Sequence, residues 1–321
     1  MMRFRSADGF RLGVVVGDAL ADLSAIRPDA PRDLADLLQG GPSALAQVAD
    51  QAANATAAQM IALSSATPAL PTRRPGKFIC LGLNYADHVN ESAYSTQSYP
   101  TLFMRATTSL MAHEEAFERP VASEQLDYEA ELAVIIGRTM RHVTADQALA
   151  GVAGYACFND GSVRDYQRHT VQWTMGKNFD RTGGFGPLFV TADELPRGAS
   201  GLRIAGRVNG EVRQSDNTAN MIFKVGETLS YISEGMTPPA GRRRRHGDAV
   251  GRGACAQTAE MAEARRCRRG RDRGHRGSSQ PGSGPTDAAA GPRGGLAAGK
   301  PAPAVLSEHS TVGLPVESRK S

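Results

Sequence analysis

The sequence has few cysteines, no long apolar run and, after Tyr231, no aromatic residue. The four cysteines show no paired spacing, so they indicate neither a disulfide framework nor a zinc site. Residues 1–10 lack the apolar stretch and cleavage site of an export signal, and no run is long enough to span a bilayer. We therefore expect a cytoplasmic protein without membrane association, because a reducing compartment is the default for unpaired cysteines.

Charge is distributed unevenly along the chain. Residues 240–321 carry 16 Lys or Arg and 7 Asp or Glu, whereas the whole chain carries 37 and 33, so the basic excess lies in the tail. From Gly241 onward, Arg, Gly, Ala, Ser and Pro dominate, and such a segment buries too little apolar surface to offset its ordering entropy. We predict a basic, low-complexity, disordered tail over 238–321. Nucleic-acid binding is disfavoured, because stacking aromatics and a folded module are missing from the tail.

The codons behind the tail suggest a shifted reading frame. Read one base later, Gly241–Gly251 permits Gly-Asp-Val-Val-Val-Thr-Gly-Thr-Pro-Ser, a strand that runs into a turn. In the same frame, Arg265–Gly274 permits Gly-Asp-Val-Val-Glu-Val-Glu-Ile-Glu, which alternates as a strand does. Chance would rarely produce strand patterns twice in one shifted frame. Our hypothesis is that the tail is a frameshift product that begins near Thr237.

The first 239 residues contain several strand patterns with few helices between them. A hairpin is predicted over Phe10–Leu23, helical spacing runs over 33–60, and the Pro-rich stretch 66–75 indicates a linker. The other predicted elements are strands at 77–82, 132–136, 155–158, 188–190 and 202–209 and a helix over 219–232. These elements predict an α+β fold with a β-rich core, divided into a small N-terminal domain over 1–72 and a larger domain over 73–237.

Glu129 and Glu131 form the most informative pair in the chain. They stand at the start of an apolar run that is typical of a buried strand, and residues two apart on a strand point to the same face. Asp160 ends a second strand-like run. Three carboxylates without a nearby Cys or His are hard oxygen ligands that suit Mg²⁺, Mn²⁺ or Ca²⁺. The alternative interpretation places Glu129 and Glu131 on the solvated face of an edge strand.

His88 and Glu91 form a second candidate pair. They are three residues apart, so on a helical turn they would face one another. A carboxylate in that position would orient the imidazole and raise its basicity, which makes a general base. A surface histidine beside a glutamate is also commonplace, and the spacing alone does not decide between these interpretations.

Three hydrogen-bond donors follow the acids in the sequence. Arg164 and Gln167 are three residues apart, and Lys177 comes ten residues after Gln167. A fixed cation, an amide and an ammonium group could hold a substrate carboxylate or enolate against a metal ion. The alternative is that they form surface ion pairs with Asp165 or Asp180.

Taken together, these stretches resemble the fumarylacetoacetate hydrolase family. The motifs that carry the resemblance are Gly-Leu-Asn-Tyr-Ala-Asp-His at 82–88, Asp-Tyr-Glu-Ala-Glu-Leu at 127–132, Phe-Asn-Asp at 158–160, Arg-Asp-Tyr-Gln at 164–167 and Gly-Lys-Asn-Phe-Asp at 176–180. The resemblance covers about residues 1–236 and implies a mixed β-roll. The roll would be incomplete at its C-terminal end, because the family's Gly-Thr-Pro loop and closing strands occur here in the shifted frame. Gly161 also departs from the family, which usually has a larger apolar residue there.

The resemblance assigns roles to individual residues. It implies a divalent metal, Mg²⁺ or else Mn²⁺ or Ca²⁺, held by Glu129, Glu131 and Asp160, and Asp87 resembles a fourth ligand of longer members. The implied catalytic residues are His88 and Glu91, as a water-activating pair, and Lys177. The implied substrate contacts are Arg164, Gln167 and Tyr85.

The resemblance also implies a range of reactions. Members cleave a C–C bond in an acylpyruvate or related diketo acid, or they decarboxylate or isomerise a related keto acid such as a 2-hydroxy-dienedioate of aromatic catabolism. The implied substrate is a small keto acid, and the implied assembly is a homodimer. The sequence does not choose between these reactions, and a catalytically inactive frameshift product is a further alternative.

Overall fold

Two β-sheets organise the chain, a five-stranded sheet near the N-terminus and an eight-stranded sheet that follows it. The structure is a computed structural model, and it describes residues 1–73, 75–85 and 98–238 together with the backbone of 253–257. Helices are few and short in these ranges, so the α+β prediction with a β-rich core is confirmed. Within the described ranges we find no helix with the length and apolar character that a membrane crossing requires.

Neighbouring strands of the N-terminal sheet pair antiparallel. Its strands in chain order are β1 (Met2–Ser6), β2 (Gly9–Val16), β3 (Ala19–Asp22), β4 (Met60–Ala62) and β5 (Thr67–Pro68). They lie in the order β4-β3-β2-β1-β5. The predicted hairpin corresponds to β2 and β3, and Gly17 has a φ of 58° in the turn between them. Part of the predicted linker instead pairs with β1, since Phe4 lies opposite Pro68.

Three α-helices lie between β3 and β4 in the sequence. They are α1 (Leu23–Ile26), α2 (Leu34–Leu37) and α3 (Gly41–Ala53). The side chain of Asp22 caps α1 by accepting from the backbone N–H of Ser24, and Asp33 caps α2 in the same way. The single helical stretch predicted over 33–60 is divided because Gly41 adopts a φ of 67°, a left-handed conformation that favours glycine.

The larger sheet joins strands that are far apart in the sequence. The remaining strands of the described chain, some of which lie outside this sheet, are in chain order β6 (Lys77–Gly82), β7 (Thr101–Met104), β8 (Leu110–Met111), β9 (Leu126–Asp127), β10 (Ala130–Ile136), β11 (Val152–Asp160), β12 (Ser162–Val163), β13 (Gly183–Phe185), β14 (Val190–Thr191), β15 (Arg203–Val208), β16 (Glu211–Asn217) and β17 (Gly253–Gln257). The sheet order is β7-β6-β17-β10-β11-β13-β8, and β14 also pairs with β11. Separate two-stranded sheets pair β9 with β12 and β15 with β16.

Strand β17 differs from the sequence-based expectation. It lies inside the tail for which we predict no stable structure, yet its backbone pairs parallel with β6 and antiparallel with β10. The physical reason is that the facing edges of β6 and β10 present N–H and C=O groups that need partners, and backbone pairing makes few demands on side chains. For these five residues the structure differs from the prediction, and the rest of the tail after Pro238 lies outside the described residues.

Both faces of the larger sheet are covered. Along β10, Ala133 and Ile135 face a core shared with the N-terminal sheet, and Leu132 and Val134 face a second core. The remaining helices are α4 (Ala145–Leu149), α5 (Arg164–Arg168), α6 (Thr174–Lys177) and α7 (Val225–Gly235). Helix α7 buries Leu229 in the second core. Because side chains alternate along a strand, Glu131 points to the same face of β10 as Ala133 and Ile135.

Candidate metal centre

The register of β10 and β11 brings three acidic side chains together. Glu129 directly precedes β10, Glu131 lies within it, and Asp160 ends β11. Because the two strands run antiparallel, the backbone N–H of Asp160 donates to the carbonyl oxygen of Glu129 at 2.8 Å. One carboxylate oxygen from each residue lies within 4.8 Å of the others, and the three residues are 0–2 % exposed. The interpretation of Glu129 and Glu131 as residues of a solvated strand face is therefore wrong.

Lys177 lies between two of these acids. Its Nζ donates to Oε2 of Glu129 at 2.7 Å and to Oδ2 of Asp160 at 2.8 Å. Burial on its own disfavours the ammonium form, but the charges of Asp160 and Glu129 outweigh this effect and raise the pKa of Lys177. The lysine therefore stays charged at the centre of the acid cluster and is not a partner of Asp180.

Arg164 holds the outer side of the cluster. It begins α5, and its Nε donates to Oδ2 of Asp127 at 2.8 Å while its Nη1 lies 2.5 Å from Oε1 of Glu129. Nη1 also donates to Oε1 of Gln167 at 2.9 Å, so the two residues predicted to act together are in contact. Arg164 is thus a buried partner of Asp127 and Glu129, and the alternative of a surface pair with Asp165 does not hold.

Glu131 differs from the other two acids in having no ion pair or hydrogen bond to its carboxylate from the described residues. Among the residues that the structure describes, neither of its carboxylate oxygens has a hydrogen-bond partner, although both are buried. Burial and then the charges of Asp160 and Glu129 raise the pKa of Glu131 well above its ordinary range. For Asp160, burial acts in the same direction, but Lys177 and Arg105 outweigh it and lower the pKa. An ionised Glu131 therefore needs a further cation.

The remaining predicted residues have a different status. Tyr85 is buried, and its backbone forms an isolated antiparallel β-bridge with Met221. Burial, and then the charges of Glu131 and Asp216, raise the pKa of its phenol. This shift is consistent with a position near the acids. His88 and Glu91 lie outside the described residues, as does Asp87, so their roles stay predictions.

Two charged residues of this region have no role predicted from the sequence. Arg105 follows β7 and donates to Asp160, and Asp127 in β9 accepts from Arg164. A usable signal was present, because three buried acids require cations, and Arg105 directly follows the apolar strand β7. Their partners are 55 and 37 residues away in the sequence, and spacing rules reach over a few residues only.

Comparison with known proteins connects this geometry to a family. Residues 77–272 match the family described as fumarylacetoacetate (FAA) hydrolase C-terminal. The chain is 36 % identical over 223 residues to a mitochondrial oxaloacetate tautomerase of Bos taurus. The match covers 69 % of this chain and 70 % of the relative. The chain belongs to the fumarylacetoacetate hydrolase family. The resemblance inferred from the motifs is thereby confirmed, and with it the mixed, sheet-rich fold.

Solved members of the fumarylacetoacetate hydrolase family share the architecture. A fumarylacetoacetate hydrolase from Exiguobacterium antarcticum superposes with a TM-score of 0.66 at 31 % identity, covering 80 % of this chain and 85 % of the other. A maleylpyruvate hydrolase from Sphingobium sp. SYK-6, solved with manganese(II) and pyruvate, superposes with a TM-score of 0.64 at 26 % identity, covering 81 % and 89 %. Members of the family are therefore enzymes that include hydrolases and tautomerases.

The donor set of the acid cluster fits a divalent cation. Three carboxylates at the ends of β10 and β11 could supply oxygen ligands, and the two buried oxygens of Glu131 have no hydrogen bond from the described residues. Hard cations such as Mg²⁺ and Mn²⁺ prefer oxygen ligands and readily complete their coordination with water or substrate oxygens. The chemistry of the cluster therefore agrees with a metal centre.

Proposed function

We propose that this protein is a divalent-metal-dependent enzyme that cleaves a C–C bond in an acylpyruvate or a related diketo acid. The observation that carries the proposal is the buried cluster of Glu129, Glu131 and Asp160, with Lys177 between two of its members. Such a cluster is unfavourable for folding unless it binds a cation, and function then accounts for its presence.

Glu129, Glu131 and Asp160 would hold the metal, with Mg²⁺ or Mn²⁺ favoured by the all-oxygen set. The bound cation would supply Lewis-acid polarisation of the substrate's oxygen atoms. The paired strands β10 and β11 position the three carboxylates, which are buried.

Lys177 is suited to stabilising negative charge on the substrate. An ammonium group has three N–H donors, and Glu129 and Asp160 account for two of them among the described residues. The third is available to a substrate oxygen that gains charge as an enolate forms. Because Lys177 is buried, its hydrogen bond to that oxygen acts in a medium of low dielectric constant, where it is strong.

Arg164 and Gln167 are suited to orienting the substrate. Asp127 fixes Arg164 through Nε, and Arg164 in turn fixes the amide of Gln167. The amide nitrogen of Gln167 is a donor that a substrate carboxylate could accept from. By the family resemblance, His88 and Glu91 would hold and move the proton of the attacking water, with Glu91 orienting the imidazole.

A second candidate function is keto–enol tautomerisation of a short dicarboxylic 2-oxo acid. The observation in its favour is that relatives 34–36 % identical to this chain carry the name oxaloacetate tautomerase. Decarboxylation or isomerisation of a 2-hydroxy-dienedioate stays a third alternative. All of these reactions pass through an enolate, so Lys177 would keep its role, whereas only hydrolysis needs an attacking water.

Turnover of two substrates separates these functions. With Mn²⁺, a hydrolase converts acetylpyruvate and water into acetate and pyruvate, and the pyruvate released can be measured. A tautomerase instead accelerates the loss of the enol absorbance of oxaloacetate without releasing pyruvate above the spontaneous rate. Chelation of the metal and the variant Glu131→Gln should each abolish the activity. Activity that survives both would contradict the proposal.

Homodimer formation and a cytoplasmic location stay predictions.

A further inference from the structure

Arg105 is hydrogen-bonded both to the acid cluster and to residues outside it. It directly follows β7, and its side chain is fully buried. Its Nη1 donates to Oδ1 of Asp160 and, at 3.2 Å, to the carbonyl oxygen of Gly161. Its Nη2 donates to Oγ1 of Thr182 at 2.8 Å, and its Nε donates to Oγ of Ser109 at 3.1 Å. Four of the five guanidinium donors thus have acceptors on four residues.

The backbone packs closely around the guanidinium group of Arg105. A Cβ atom added at Gly183 would lie 3.1 Å from Cζ of Arg105, which is tighter than ordinary packing. A Cβ atom added at Gly161 would lie 2.2 Å from the carbonyl oxygen of Thr182. Glycine at both positions therefore permits the close approach of the backbone around the guanidinium. This also gives a physical reason for Gly161, the position at which the chain departs from the usual family pattern.

Arg105 and Lys177 contact the same carboxylate in different ways. Lys177 donates to Oδ2 of Asp160 from a flexible four-carbon stem, and its other hydrogen bond goes to Glu129. Arg105 donates to Oδ1 of Asp160 from a planar group that Ser109 and Thr182 anchor independently of the cluster. A planar, anchored fork fixes the orientation of a carboxylate, whereas an ammonium group acts as a point charge.

We propose that Arg105 is a positioning residue of the metal centre, which holds Oδ1 of Asp160 so that Oδ2 points into the acid cluster. The inference rests on the proposed function, because it assumes that Asp160 ligates a divalent cation. Partners that orient a ligating carboxylate typically change metal affinity by about 10–100-fold when they are lost. Arg105 itself contacts neither substrate nor metal, and it acts through Asp160.

The test is Mn²⁺ affinity, measured on the soluble full chain by the electron paramagnetic resonance signal of free Mn²⁺. We expect Arg105→Met to weaken binding about 10–100-fold and Arg105→Lys to recover part of that loss, since a cation without the fork keeps the charge. Thr182→Val removes the acceptor of Nη2 without touching the cluster and should weaken binding less than Arg105→Met.

The matched control is Arg3→Met in the N-terminal sheet. Arg3 is also buried, and it donates to the carbonyl oxygens of Arg32 and Leu70. Its loss should lower the metal-free melting temperature and leave Mn²⁺ affinity unchanged. If Arg105→Met and Thr182→Val bind Mn²⁺ as the native chain does, the inference is wrong while the proposed function stands. If the native chain binds no Mn²⁺, the proposed function fails, and the inference fails with it.

Discussion

The two sheets use buried charge for different purposes. In the N-terminal sheet, the buried Arg3 is bonded mainly to backbone carbonyl oxygens, and Asp33 is 3.9 Å away. In the larger sheet, buried cations are bonded to buried carboxylates that cluster at the ends of β10 and β11. The buried acids are Asp127, Glu129, Glu131 and Asp160, and the buried cations are Arg105, Arg164 and Lys177. Carbonyl oxygens balance the buried charge of Arg3. The carboxylate of Glu131, in contrast, has no hydrogen-bond partner among the described residues, which indicates that it needs a further cation.

The sheets also differ in how they are assembled. The N-terminal sheet is complete within residues 2–68 and forms largely from neighbouring strands. The larger sheet needs β17, which lies more than a hundred residues after β10 and fills the position between β6 and β10. We therefore expect changes in the tail to affect the second sheet and to leave the first sheet intact. The following predictions test these two contrasts, beginning with the largest expected effect.

Restoring the reading frame after Thr237 should have the largest effect. The restored chain would supply strands with the usual apolar alternation beside β6 and β10, and the Gly-Thr-Pro loop of the family. A domain has only about 5–15 kcal/mol of net stability, and poor central strands can consume that margin. We expect the soluble yield of the chain as written, and its turnover of acylpyruvates with Mg²⁺ or Mn²⁺, to be far below those of the restored form.

Side-by-side expression of the two forms, followed by soluble yield and turnover, measures this difference. Comparable activity would mean that the tail, through β17, closes the sheet adequately, and the frameshift hypothesis would lose its functional support. Resequencing the gene around Thr237 provides an independent check.

His88→Ala in the frame-restored protein should lower turnover by about 10²–10⁴-fold, the usual contribution of a general base. Mn²⁺ affinity should change little, because His88 is proposed to move a proton and not to ligate the ion. Steady-state kinetics and a parallel metal titration distinguish these effects. An equal loss in both measurements would make His88 a ligand or a structural residue.

Glu131→Gln should have a smaller effect, and one of unusual sign, on metal-free stability. The raised pKa of Glu131 means that the folded state keeps a proton that the unfolded state has lost, so this residue lowers stability as pH rises above the ordinary value of 4.5. Each unit by which the pKa is raised costs about 1.4 kcal/mol once the pH exceeds both values. The amide cannot ionise, so the variant should match or exceed the native melting temperature near about pH 8.

Thermal melts with a chelator present, at about pH 5 and about pH 8, provide this comparison. The native protein should lose more stability over that interval than Glu131→Gln does. Arg3→Met serves as the reference for an ordinary buried charge, since it should destabilise the protein at both pH values. A native chain that gains on the variant as pH rises would contradict the account.

Part of the candidate site was predictable from local sequence. The spacing of Glu129 and Glu131 predicts that both point to one strand face, and Asp160 ends the next strand-like run, whereas their contact depends on the pairing of β10 with β11. The partners of Arg164 were not predictable in this way. Asp165, one residue away, accepts from Ser123 instead, and Asp127 is reached through the pairing of β9 with β12.

The fold shows the same division between local and distant determinants. Continuous apolar runs indicated β6, β10 and β11, because a strand that is buried on both faces does not alternate with polar residues. Composition gave no indication of β17, whose partner strands β6 and β10 are distant in the sequence. Arg105 was missed for a related reason, because its four acceptors come from segments that meet only in the folded chain.

The central claim is that the acid cluster of the larger sheet holds a divalent cation, and Mn²⁺ titration tests it most directly. Calorimetry or electron paramagnetic resonance should give one Mn²⁺ per native chain, with binding lost or weakened by at least about 100-fold in Glu131→Gln, which removes a charged ligand but keeps the shape. The account predicts that Arg3→Met binds Mn²⁺ as the native chain does. Unchanged affinity in Glu131→Gln, or no Mn²⁺ bound by the folded native chain, would contradict it.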